Sequence, residues 1–261
     1  MFPNDSKKLY IYTGNVLNMN EVKKKVGQTL TDEIVDSMRI TVAEWQTAGA
    51  TNLPDKETIQ IRRNGDGSSL LLGVNEERKD LKVGLKLFLP SSAPSDNAIA
   101  DALNSLLTEL KTGHVESLVL AQAGRQAEGF TPEQQLQRIR SVWEQLQIEE
   151  KAGRVLSGGV SDVDTELFIN LHTEAQVKPS IVQINLATCC VVPPALQAFA
   201  KEHEVQLLTH SDPLDVLPAE QVKELFGSDW HTSWILRSQV HVKCRGVLAS
   251  KGYIACIEKN Q

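Results

Sequence analysis

Residues 176–213 read QVKPSIVQINLATCCVVPPALQAFAKEHEVQLLTHSDP, and this stretch decides the fold. Two short apolar runs, 181–186 and 205–208, are joined by a Pro-Pro step and one helix-length segment, a pattern that predicts a parallel βαβ unit. Gln183 and Asn185 alternate with Val182, Ile184 and Leu186, so two amide side chains share one face of a strand whose other face is apolar. The thiol pair Cys189 and Cys190 follows at once.

Working outward, strand-like and helix-like periods alternate along the whole chain, which predicts an α/β fold with a parallel sheet. The strand candidates are 9–12, 57–63, 81–88, 115–121, 154–160, 181–186, 205–209 and 239–243. That is the strand number of one (β/α)8 barrel spanning residues 1–261 as a single domain. Helices are expected after Pro94, with Ser95 as cap and Gly113 as stop; from a Thr131-Pro132-Glu133-Gln134 capping box; from Asp162 or Asp164 through Leu171; and over 218–226. Between Arg63 and Leu81 the turn chemistry of Asn64-Gly65-Asp66-Gly67 leaves no helix-length stripe, so the second βα unit is expected to be truncated.

The net charge of -6 gives no general attraction for nucleic acid or an anionic membrane. No apolar run approaches the roughly 20 residues that span a bilayer, and the polar start lacks a signal-peptide core, so a cytoplasmic protein is expected. Four cysteines without a CxxC fit free thiols better than a disulfide scaffold. No metal site is expected, because the cysteines with His203, His210 or His241 match no structural zinc spacing.

The 176–213 segment, with FAKEHEVQLLTHSDP and the tail VKCRGVLASKGYI, resembles the regulatory subunits of glutamate–cysteine ligase, proteins built on a degenerate aldo-keto reductase barrel of the TIM type. That resemblance implies a heterodimer with the catalytic subunit of the ligase. It also implies a lower glutamate requirement and relief of glutathione feedback inhibition in glutathione biosynthesis. The role requires no cofactor of its own.

Set beside the reductase pattern, GGVSD with Ser161 and Asp162 resembles the segment that holds the nicotinamide amide, and VQIN with Gln183 the following glutamine strand. HSDPL, with His210 and Ser211, resembles the turn whose tyrosine stacks on the nicotinamide. VKCRG, with Lys243 and Arg245, resembles the basic segment that takes an adenosine 2′-phosphate. These seven residues are the candidate NADPH cleft that the resemblance implies. Lys86 matches the family's lysine, and Gln122 stands where its histidine would be.

The tyrosine that donates the proton would come from the truncated unit, which contains none. A neutral amide cannot protonate a developing alkoxide as a phenol can, so the expectation is a remnant site without turnover. Cys189 and Cys190 remain candidates for redox sensing or partner contact, or simply small core residues. An NADPH-sensing module and a weak reductase are the competing readings.

Overall fold

The computed structural model describes all residues except 1, 4, 24–26, 49–56, 72, 91–96, 123–130, 187–190 and 261. In chain order the strands are β1 (Lys8–Tyr12), β2 (Thr58–Arg62), β3 (Leu81–Leu89), β4 (Ser117–Gln122) and β5 (Gly158–Ser161). They continue with β6 (Ile181–Asn185), β7 (Gln206–His210), β8 (Trp230–Val242) and β9 (Val247–Lys259). The helices are α1 (Asn20–Lys23), α2 (Leu30–Thr47), α3 (Ala98–Leu110), α4 (Pro132–Lys151), α5 (Thr165–Glu174), α6 (Pro194–Glu202) and α7 (Ala219–Phe226). No helix among the described residues is long and apolar enough to cross a membrane.

The decisive βαβ unit is present, with β6 and β7 parallel and in register from Ile181↔Gln206 to Asn185↔His210. It ends a run, β3-β4-β5-β6-β7, in which sequence neighbours are sheet neighbours, as in the barrel. This is an α/β fold whose parallel run follows the order that the barrel resemblance implies. The truncated second unit is found as expected: among the described residues between β2 and β3 there are only short 3-10 turns at Gly65–Ser68 and Arg78–Asp80.

Two strand assignments need correction. The expected eighth strand at 239–243 is the end of the long β8, which runs antiparallel to β3. A ninth strand, unread in the sequence, pairs antiparallel with both β8 and β1, so the hairpin lies between β1 and β3 in the order β2-β1-β9-β8-β3-β4-β5-β6-β7. The hairpin forms because a four-residue turn, 243–246, with Gly246 at φ +61, joins two long alternating runs. Helix α2 was also unread; Thr29 and Asp32 cap it reciprocally, and Ile34, Met38 and Val42 are buried.

Alternation along β3 separates two cores. Leu81, Val83, Leu85, Leu87 and Leu89 join Ile99, Leu103 and Leu106 of α3 on one face, each fully buried side chain contributing about 1.5–3 kcal/mol. On the other face Phe88 joins Ile235, Tyr253, Leu9 and Ile34. Helix α4 starts at the expected box, where Thr131 and Gln134 cap each other reciprocally.

The sheet is strongly curled. Four strand steps separate β3 from β7, about 19 Å in a flat sheet, yet Lys86 Nζ lies 2.9 Å from Asp212, two residues past β7. Curling brings the carboxyl ends of β3, β5, β6 and β7 around one small volume.

Candidate functional site

Lys86 is on the concave face because it alternates with the leucines of β3. Its side chain is 3% exposed. Nζ donates to Ser161 Oγ and to Gln183 Oε1, both at 2.9 Å, and is 2.9 Å from Asp212 Oδ2. An ammonium has three protons, so all three are engaged.

Directly opposite Lys86 in the β3–β8 register stands Arg237. Its guanidinium grips Asp212 with both terminal nitrogens, Nη1 to Oδ1 at 2.6 Å and Nη2 to Oδ2 at 3.1 Å. Phe88 lies under both cations, with its centroid 5.6 Å from Lys86 Nζ and 5.4 Å from the Arg237 guanidinium carbon. Asn185 Nδ2 holds the Asp212 backbone carbonyl at 2.7 Å, which fixes the loop after β7.

His210 completes the cluster. Nε2 is 3.1 Å from Asp162 Oδ1 and 3.0 Å from Ser161 Oγ, while Nδ1 receives the Asp212 backbone N–H at 3.1 Å. Asp162 holds a left-handed conformation at φ +62, which Asp tolerates better than most residues. That turn points its carboxylate back at Ser161 and His210.

The electrostatics follow from burial and pairing. Burial lowers the Lys86 pKa, the charge and hydrogen bond of Asp212 oppose this, and the net position is below the ordinary lysine value. Burial would raise Asp212, but hydrogen bonds from His210 and Arg237 and the charges of Arg237 and Lys86 hold it well below the carboxylate range. Asp162 is likewise lowered against its burial, chiefly by His210, with Ser161 and Lys86 adding to this. Burial disfavours a charged His210, yet its bonds to Asp162 and Asp212 raise its pKa. Two fixed cations face two fixed anions, so the cluster is internally balanced.

Ser161, His210 and Asp212 sit in the order of a hydrolytic triad, with Nδ1 3.3 Å from Asp212 Oδ2. The protons are wrongly placed for that chemistry. Ser161 donates to Asp162 Oδ2 at 2.8 Å; in the neutral imidazole Nδ1 accepts from the Asp212 amide and Nε2 carries the proton, and in the imidazolium that Asp162 and the Asp212 carboxylate favour both nitrogens are protonated, so in neither form does Nε2 take a proton from the serine. Ser161 is also 2% exposed.

No phenol is positioned as a proton donor among the described residues. Tyr10 donates to Asp101 at 2.5 Å, Tyr12 lies beneath Arg62, and the fully buried Tyr253 bonds Glu33, with its pKa pushed far up by burial and by Glu33.

The structure therefore brings together Lys86, Ser161, Asp162, Gln183 and His210, with Ser211 exposed beside them. Gln122 ends β4 at the same end of the sheet. Lys243 and Arg245 are not part of this group, and their expected place at the end of an eighth parallel strand is corrected. They occupy the β8–β9 turn beside the start of β3, at the opposite end of the sheet. There Lys243 donates to the Lys79 carbonyl and Arg245 pairs with Glu76. Cys189 and Cys190 lie outside the described residues.

Two members of the cluster escaped sequence reasoning. Asp212 sat within HSDPL without a role, and Arg237 was passed over although a lone charge in the apolar run WILRSQV signals an inward-facing ion. Beside the cluster, an apolar cavity of about 420 Å³ is lined by Phe88, Leu214, Val216, Val222, Trp230 and Ile235.

Comparison with known proteins adds four findings. Residues 68–215 match the Aldo/keto reductase family. The glutamate–cysteine ligase regulatory subunit of Bos taurus is 33% identical over 259 residues, covering 94% of this chain and 91% of the bovine protein. The human protein of the same name is 32% identical, with 95% and 92% covered. Among solved structures, an aldo/keto reductase from Brucella melitensis aligns with a TM-score of 0.42 at 20% identity, over 59% of this chain and 56% of that one.

Proposed function

This chain belongs to the aldo/keto reductase family, within the group of glutamate–cysteine ligase regulatory subunits, and we propose that it is itself a non-catalytic regulatory subunit of that ligase. In this reading it forms a heterodimer with the catalytic subunit in the cytoplasm, lowers the glutamate requirement and relieves feedback inhibition by glutathione. The observation that carries it is near-full-length similarity to proteins bearing that name. The cluster supports it: a lysine with every proton engaged, and a Tyr253 opposite Arg237 whose phenol is committed to Glu33, make a poor reductase centre.

Regulation then has a simple thermodynamic form. The subunit binds the glutamate-competent state of its partner more tightly than the inhibited state, and its effect equals that difference. The test is glutamate saturation of purified catalytic subunit with and without an equimolar amount of this chain, alongside gel filtration of the mixture. A shared peak and a lower apparent glutamate constant are expected; separate peaks and unchanged kinetics would overturn the reading.

A second reading rests on the convergence of Ser161, Asp162, Gln183 and His210, with Ser211 beside them, at the carboxyl ends of β5 to β7. These residues would hold the nicotinamide end of NADPH without turning it over. Quenching of tryptophan fluorescence by NADPH tests it, and a Gln183→Ala variant that binds as well as the parent would remove it.

A further inference from the structure

Among the described residues β7 is an edge strand, paired with β6 on one side only. Gln206 N–H donates to the Ser180 carbonyl and the His210 carbonyl accepts from Leu186, so the backbone groups of 206, 208 and 210 point toward β6. In a parallel strand the alternate residues then point the other way. The N–H and C=O of Leu207 and Thr209 face outward along this edge.

Natural edges are blunted by charge, proline or a bulge, and QLLTH has no lysine, arginine, carboxylate or proline. The edge at β2 differs: its Arg62 is bonded to Glu109 and lies over Tyr12. Next to β7, Leu186, Val191 and Leu214 are 46%, 70% and 54% exposed, so apolar surface gathers where β6 and β7 end. The flanks are mainly acidic: Glu202 and Glu204 before the strand and Asp215 after it are exposed, offset by Lys201.

The geometry points to β7 as a docking edge that accepts an extended segment of the catalytic partner as an added strand. That segment is apolar at its centre, to cover Leu207, Leu208 and Leu214, and basic at its ends, to meet the acidic flanks. An outward row of backbone donors and acceptors is matched by extended backbone rather than by a helix. This inference rests on the regulatory-subunit reading and adds where the partner binds.

The test uses the full chain, the purified catalytic subunit, and Thr209→Pro. Proline there removes an outward N–H and leaves the β6 ladder intact, as edge strands tolerate. Thr209→Pro should keep the parent's circular dichroism spectrum and weaken co-elution, raising the dissociation constant about tenfold or more. Hydrogen exchange on the unmutated chain gives an independent readout: amides of Leu207 and Thr209 should exchange quickly alone and become protected when the partner is added.

Parent and Thr209→Pro co-eluting equally, or amides unprotected in a formed complex, would overturn the edge assignment while leaving the regulatory reading standing. Protection that grows with the concentration of this chain alone would assign the edge to a second copy and overturn the proposal. A parent chain that never co-elutes would overturn both.

Discussion

Asp212→Asn should be among the most destabilising conservative changes on the concave face. Lys86 and Arg237 stand directly opposite each other on β3 and β8. At such positions Cβ atoms are roughly 4.5–5.5 Å apart and like charges repel. The Asp212 carboxylate bridges them, 2.9 Å from the lysine and 2.6 Å from the arginine, with its side chain 11% exposed. Removing one partner of a buried ion pair costs about 3–5 kcal/mol, and an amide that still accepts one bond falls near the lower figure. About 3 kcal/mol corresponds to a melting temperature lower by roughly 6–12 °C for a chain of this size.

Urea unfolding followed by circular dichroism measures it, with the urea slope expected to be unchanged. Adding Lys86→Met to the variant removes one of the two unbalanced cations and should recover part of the loss. The pH dependence has a definite sign. A carboxylate held below its unfolded value stabilises the fold fully above about pH 4, and that contribution is lost as pH falls through the folded value. The gap between parent and variant should therefore narrow in acid. A loss under about 1 kcal/mol at pH 7, or a Lys86→Met addition that destabilises further, would refute the account of Asp212 as the bridge between two buried cations.

Other expectations follow from single residues. Gly159→Ala places a Cβ 2.5 Å from the Ile181 Cβ and carbonyl oxygen and should cost about 1–3 kcal/mol in chemical unfolding, whereas Gly113→Ala, with nothing within 4 Å, should stay within about 0.5 kcal/mol. His210 has its pKa raised by Asp162 and Asp212 against its burial, so its contribution is complete below about pH 6.5 and fades as pH rises through the folded value; His210→Asn should lose its disadvantage as pH rises above about 6.5, and a constant difference would count against the assigned contacts. Arg245→Ala should leave the ratio of NADPH to NADH affinity unchanged in paired fluorescence titrations, because Arg245 pairs with Glu76 at the far end of the sheet; a selective loss of NADPH binding would contradict that placement.

The parts of the fold legible in the sequence were those governed by local rules. The alternation in 181–186 and 205–209 gave β6 and β7, Thr131-Pro132-Glu133-Gln134 gave the start of α4, and the glycine-rich turn after Arg63 marked the missing helix. The long run 30–47 was passed over although Thr29 and Asp32 form its cap. The hairpin defeated local reading for a different reason. Val247–Lys259 looks like any alternating strand, and nothing in its own residues states that it lies between β8 and β1.

By itself the sequence determined which residues form strands and helices over most of the chain, and it located Lys86, Ser161, Asp162, Gln183 and His210 on strands or at their carboxyl ends. Tertiary structure decided what those residues do to each other. Pairing β8 with β3 set Arg237 opposite Lys86, and curling of the sheet carried Asp212 from beyond β7 to lie between them. It also sent Lys243 and Arg245 to the far end and, among the described residues, left β7 paired on one side only. The physical reason is range: alternation and capping depend on residues within a few positions, whereas strand order and charge pairing bring together groups such as Lys86 and Arg237 that no local pattern connects.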